Sequence, residues 1–237
     1  MKELRVKLFA DGAEKKSMIE MYENPLIAGF TTNPTLMNKA GVADYEGFAK
    51  EVLLTIKKKP ISFEVFSDEF SEMEKQAKKI ASWGYTVYVK IPITNTRKES
   101  SRPLIEKLSR DGVKVNVTAM LTARQVQEVL PSLAHGPASY VSVFAGRVAD
   151  AGVDPLPIMK EVVAMLKDYP KIELIWASPR EVFNVVQAEE IGCHIITATN
   201  DILKKLPLLG KDLTTFSVET VKMFYEDAKA AGYRIVI

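Results

Sequence analysis

Tyr85-Thr86-Val87-Tyr88-Val89-Lys90-Ile91-Pro92-Ile93-Thr94 is a run of β-branched and aromatic residues broken by one lysine. Alternate residues of a strand point to opposite faces. Val87, Val89, Ile91 and Ile93 therefore share one face, and Lys90 stands alone among larger groups on the other. An ammonium inside a protein is costly unless it is paired or deprotonated. A lysine forced toward neutrality is a nucleophile for carbonyls. Taken alone, the strand equally allows a strand-end lysine whose head reaches water.

Around this stretch, strand-like and helix-like segments alternate. Strands are expected over 4–10, 26–31, 61–66, 85–94, 113–120, 140–145, 172–177 and 194–199. Helices are expected over 13–22, 45–57, 102–110, 155–166, 202–206 and 218–231. Ser71 with Glu74, and Thr122 with Gln125, have the spacing of capping boxes that open two more. Ser178-Pro179-Arg180-Glu181 reads as a further start, with a cap serine and proline at the first helical position. Eight strand–helix units predict a (β/α)₈ barrel, with a doubly wound sheet as the alternative. One domain over 1–237 is expected, with 214–237 as a C-terminal helix and tail.

Composition sets the outer bounds. Of 237 residues, 47% are hydrophobic and 26% charged, which is ordinary for a globular chain with a large core. A net charge of +2 predicts no strong field for nucleic acid or a membrane surface. Cys193 is the sole cysteine, so no internal disulfide forms, in keeping with a reducing compartment. Met1-Lys2-Glu3-Leu4-Arg5 lacks the apolar core of a signal peptide, and no apolar run approaches the roughly 18 residues of a membrane span. The expectation is a soluble, cytoplasmic protein.

In a barrel of this type the outward strand face packs on helices and is apolar. That face tells which residues point in. Val6, Leu8 and Ala10 send Asp11 inward; Ile61, Phe63 and Val65 send Glu64 inward. By the same parity Asn116 and Thr118 of the fifth strand, and Ser142 and Phe144 of the sixth, face the centre beside Lys90. Asn33 follows the second strand. A structural barrel would fill this space with Val, Ile and Leu. A lysine among apolar neighbours can form a Schiff base with a ketone, and the iminium then draws electrons from an adjacent carbon–carbon bond. Asp11 is available to take the hydroxyl proton, and Glu64 with Thr118 to hold water. Asn33 and Asn116 suit sugar hydroxyls. No metal or other cofactor is required, and with His135 and His194 as the two histidines a zinc site is not expected. A buried Lys90–Glu64 ion pair is the plain structural alternative.

These stretches resemble the transaldolase family, including its fructose-6-phosphate aldolase-like branch. The similarity rests on Asp11-Gly12, Gly29-Phe30-Thr31-Thr32-Asn33-Pro34-Thr35-Leu36, Glu64-Val65, Val87 to Pro92, Asn116-Val117-Thr118, Val141-Ser142-Val143-Phe144-Ala145-Gly146-Arg147 with Asp150, and Ala177-Ser178-Pro179-Arg180. The resemblance implies a (β/α)₈ barrel with its imine-forming lysine, Lys90, on the fourth strand. It implies Asp11 as acid/base and Glu64 with Thr118 as holders of the water. It implies that Asn33, Asn116 and Ser142 contact the dihydroxyacetone part of the donor and that Arg147 and Arg180 bind the phosphate of a sugar-phosphate substrate. Phe144 and Ser178 are further substrate-binding candidates, Ser178 alternatively a plain helix cap. It further implies a metal-free reaction, a place in the pentose phosphate pathway, and a homo-oligomer, with pentamer or decamer as candidates. The 218–231 helix would then reach a neighbouring subunit; alternatively it lies across a barrel mouth.

Glutamate at 64 and phenylalanine at 144 resemble true transaldolases, where the aldolase-like branch has glutamine and tyrosine. Transfer of a dihydroxyacetone unit is therefore favoured over its release. Pro179 departs from the family's usual phenylalanine and removes a donor from the expected helix start. This leaves open a sulfonated or chain-extended sugar. A non-catalytic sugar-phosphate sensor is the reading from a different class. An Arg147–Asp150 surface pair is the structural alternative for those two residues.

Overall fold

The computed structural model describes residues 4–236. Residues 1–3, part of the N-terminal stretch read above, and residue 237, the end of the expected tail, lie outside the described residues. The chain runs β1 (Lys7–Asp11), α1 (Lys15–Glu23), β2 (Ile27–Thr31), α2 (Pro34–Lys39), α3 (Tyr45–Thr55), β3 (Ile61–Glu64), α4 (Phe70–Ala81) and β4 (Val87–Pro92). It continues α5 (Arg102–Arg110), β5 (Val115–Met120), α6 (Ala123–Leu133), β6 (Ser139–Val143), α7 (Ala145–Asp150), α8 (Pro155–Met165) and β7 (Ile172–Trp176). Last come α9 (Phe183–Glu190), β8 (Ile195–Ala198), α10 (Asn200–Leu203) and α11 (Leu213–Ala230). The strands form a closed parallel barrel in sequence order, β8 pairing back onto β1.

The parity read from the sequence holds. Val87, Val89, Ile91 and Ile93 are buried in the layer between barrel and helices, with Ile105 and Leu108 of α5 and Met73, Ala77 and Ile80 of α4 in the same cluster. Each such Val, Ile, Leu or Met side chain contributes about 1.5–3 kcal/mol on full burial. Exposed ion pairs, such as Lys75 with Glu72, are screened by solvent and add little. The apolar layer therefore dominates the stability of the fold.

Inside the barrel, a plug of Phe9, Tyr88, Tyr140, Ile175 and Ile195 forms a separate cluster. Tyr88 and Tyr140 stack with ring centroids 4.1 Å apart, and Phe9 meets Tyr140 edge-on. Two residues further along the same strands stand Asp11, Lys90 and Ser142. The period of two thus lifts the polar groups above the plug, at the C-terminal strand ends.

Local starts differ from the sequence reading in two places. Thr122 and Gln125 do form a capping box at α6. Ser71 does not cap α4; the cap position falls two residues earlier, at Glu69, with no side-chain cap. Nor does a helix start at Ser178. Ser178 has φ +57°, which a helix N-cap does not adopt, and the Asn184 side-chain oxygen accepts from the Arg180 and Glu181 amides. That capture delays α9 to Phe183. α11 begins five residues before the expected position 218 and buries none of its side chains, so it does not lie packed across a barrel mouth.

Candidate active site

Lys90 is 5% exposed, and its ammonium is held on two sides. The Glu64 carboxylate lies 2.9 Å away, and the Thr32 main-chain carbonyl accepts from the same nitrogen at 2.9 Å. Glu64 and Lys90 are direct partners across β3 and β4, so strand register places the pair. The ion pair anticipated as the structural alternative is formed. It does not exclude chemistry, because the pair lines a cavity of about 440 Å³ at the C-terminal end of the barrel.

Asp11 lines the same cavity. Burial pushes its carboxyl above the ordinary range, against the opposing pull of the Lys90 charge and a hydrogen bond from Thr31. Thr31 Oγ1 donates to Asp11 Oδ1 at 2.7 Å and also meets Thr197 Oγ1. A carboxyl raised by desolvation is better matched to exchanging a proton with a hydroxyl than an exposed one.

Thr118 is fully buried, and its hydroxyl has no protein partner although it lines the cavity with Glu64. Such a group needs a hydrogen bond from something that enters the site. Ala119 beside it has φ +61°, at a register shift between β5 and β6. Ala119 and Ser178, two of the three non-glycine residues with positive φ among those described, line this one cavity. Backbone strain of this kind concentrates at functional sites.

Asn33 borders the cavity, and its side chain caps α2 by accepting from the Leu36 amide at 2.9 Å. Ser142 and Phe144 also border it. Asn116 lies beneath rather than in the lining. Its amide nitrogen donates to Ser62 Oγ at 3.0 Å and its oxygen accepts from Ser142 Oγ at 2.7 Å. Its first effect is thus to orient Ser142.

On the far wall stand Arg147, Ser178 and Arg180. Arg147 lies over the Phe144 ring, 5.7 Å from its centroid. The Arg147–Asp150 pair weighed as the structural alternative is not formed. Asp150 pairs with Arg180 instead, and that bond holds the Asp150 carboxyl below its usual range. Gly146 explains why α7 approaches so closely: a Cβ there would lie 1.5 Å from the Ser178 carbonyl oxygen. Pro179 precedes α9 by several residues, so it removes no donor from a helix start.

Two inward threonines, Thr31 on β2 and Thr197 on β8, were not among the residues expected from the sequence. Outward Ile196 and Ala198 turn Thr197 inward by the same parity that placed Asp11 and Lys90. Lys39, at the end of α2, also lines the cavity; nothing in its local sequence marks it. Among the described residues no three His, Cys, Asp or Glu side chains group as metal ligands would, and no helix is long and apolar enough to cross a membrane.

The fold is shared widely. A solved structure described as native KDPGal superposes with a TM-score of 0.55 over 85% of each chain at 14% identity, a likeness of fold alone. Sequence similarity reaches further. A Dehalococcoides mccartyi protein named "Probable transaldolase" is 32% identical over 218 residues, covering 90% of this chain and 97% of that protein. A Thermoanaerobacter sp. protein of the same name is 34% identical over 231 residues, 97% of this chain and 100% of its own. Residues 8–235 match the family described as Transaldolase/Fructose-6-phosphate aldolase. That match takes in every strand from Leu8 onward and every residue of the cavity, and by it the chain belongs to the transaldolase/fructose-6-phosphate aldolase family.

Proposed function

We propose that this protein is a transaldolase that moves a dihydroxyacetone unit from a ketose phosphate to an aldose phosphate through an imine on Lys90. The observation that carries the reading is the convergence of a buried Lys90 amine and a desolvated Asp11 carboxyl on one cavity. Glu64, 2.9 Å from the ammonium, takes its proton. The free amine attacks the donor C2 carbonyl, and a water held against Thr118 relays a proton from the attacking nitrogen to the alkoxide to give the carbinolamine. Glu64 returns its own proton through the same water to the carbinolamine hydroxyl. Water leaves and the iminium forms. Asp11 then takes the C4 hydroxyl proton, the C3–C4 bond breaks, and its electron pair moves into the iminium as an enamine. The aldose phosphate product departs. The enamine C3 attacks the aldehyde carbon of the acceptor, Asp11 returns its proton to the new alkoxide, and water hydrolyses the iminium.

Asn33 and Ser142, the latter oriented by Asn116, hold donor hydroxyls. Arg147 and Arg180, with Ser178, hold the phosphate; guanidinium forks match phosphate oxygens. The exposed apolar side chains of α11 suit a contact between copies of the chain, so the active form is a homo-oligomer.

Borohydride reduction in the presence of fructose 6-phosphate tests the imine. The expected result is a dihydroxyacetone adduct on Lys90 that is absent from Lys90→Ala. No adduct, or one surviving the substitution, would overturn the reading. Accumulation of free dihydroxyacetone without an aldehyde acceptor would replace transfer by release.

A further inference from the structure

The β2–β3 ladder stops short in a way that leaves the lysine's partners to be held by something else. Phe30 N–H donates to the Pro60 carbonyl at 2.8 Å, and Thr32 N–H to the Ser62 carbonyl at 3.0 Å. In a parallel ladder these bonds recur every second residue. The next rungs would run from Glu64 N–H to the Thr32 carbonyl and from residue 34 N–H to the Glu64 carbonyl. Residue 34 is proline and has no N–H, and the chain there turns into α2. Both main-chain groups of Glu64 on that side would be orphaned, which costs about 1–3 kcal/mol for each buried group.

Tyr45 fills the gap. Its hydroxyl accepts from Glu64 N–H at 2.9 Å and donates to the Glu64 carbonyl at 2.9 Å. The Thr32 carbonyl, released from the ladder, accepts from the Lys90 ammonium instead. The phenol is itself fixed. Tyr45 is the first residue of α3, which Asp44 caps through the Gly47 amide, and its ring packs on Phe63, Phe66 and Trp83. Burial pushes the phenol's pKa well above its ordinary value, so it stays a donor throughout the working range.

We propose that Tyr45 is a positioning residue: its hydroxyl replaces the missing β2–β3 rung, and by doing so fixes Glu64 and leaves Thr32 free to hold Lys90. Tyr45 touches no substrate; it acts through the two groups that grip the amine. The inference deepens the imine reading above and rests on it for its kinetic consequence, while the geometric consequence stands apart.

Tyr45→Phe keeps the ring and removes only the hydroxyl. The expected result is a kcat lower by roughly 10- to 100-fold with the donor KM little changed, because the slowed event is imine formation and not binding. Rapid-quench borohydride trapping should show the same loss in the rate of adduct formation. Independently of turnover, amide exchange at Glu64 should accelerate about tenfold or more, and the Lys90 ammonium resonance should shift. A normal trapping rate, or a kcat that is restored when the assay is run well below a lowered melting temperature, would overturn positioning and leave Tyr45 a packing residue. So would an unmoved Lys90 resonance, whatever the activity. A wild-type chain that forms no adduct, yet shows the exchange and resonance changes in Tyr45→Phe, would sink the imine reading and sustain the clasp.

Discussion

The Lys90 ammonium sits 2.9 Å from the Glu64 carboxylate, its direct partner across β3 and β4. Removing one member of a buried pair strands the other charge, at about 3–5 kcal/mol. Lys90→Met should therefore abolish turnover and also destabilise the fold by several kcal/mol, in urea unfolding. Lys90→Met combined with Glu64→Gln should recover part of that loss, since no lone charge remains. Strictly additive losses would show that the two groups do not interact energetically.

Asp11 gives a pH test whose sign can be worked out. Its folded-state pKa lies above its ordinary value, chiefly through burial. The folded state therefore holds its proton more tightly than the unfolded chain. Above the folded pKa the ionised carboxylate penalises the fold; below the ordinary carboxylate range both states are protonated and the penalty vanishes. Asp11→Asn should raise the melting temperature at neutral pH, and the gain should shrink on acidification toward the ordinary carboxylate value. The same substitution should lower kcat by about 10²–10⁴-fold. A variant no more stable than wild type at neutral pH would contradict the assigned burial cost.

Much of this site is legible in the sequence. Alternation on β1, β3, β4, β5 and β6 places Asp11, Glu64, Lys90, Thr118 and Ser142 together because a strand has only two faces and one is visibly apolar. Asn116 obeys the same parity, yet it sits one layer lower, bonded to Ser62 and Ser142. Parity gives the face and not the height. The chain around Ser178 misleads for a different reason. Serine followed by proline is a sound local helix start, but the close packing of Gly146 on the Ser178 carbonyl holds that residue at positive φ. Tertiary contact outweighs local propensity. Asp150 is invisible as a partner for Arg180 because 30 residues separate them.

Gly146 offers a steric test of the anion end. A methyl group there would meet the main-chain oxygen of Ser178 at 1.5 Å, and main chain cannot swing aside as a side chain can. Gly146→Ala should force the segment bearing Ser178 and Arg180 outward and cost about 1–3 kcal/mol. The expected kinetic signature is a raised KM for phosphorylated substrates with less effect on unphosphorylated aldehydes. Arg147→Ala should show the same selectivity without the loss of stability, since the exposed Arg147 side chain only overlies Phe144. Equal losses for both substrate classes would move the phosphate elsewhere.

The helix Leu213–Ala230 poses the last test. None of its side chains is buried, and Leu213, Val221 and Phe224 are 79%, 63% and 62% exposed. Most helical stability in proteins comes from packing an apolar face rather than from intrinsic propensity. Covering that face with a second copy of the chain would supply the missing contact, at about 25 cal/mol per Å² of apolar surface removed from water. The 237-residue chain should run as a closed homo-oligomer in light scattering, a pentamer or decamer. Val221→Glu with Phe224→Glu should reduce it to smaller species and lower helicity, because the helix then loses its partner. A monomeric wild type would show that α11 folds without one and would remove the case for assembly through this helix.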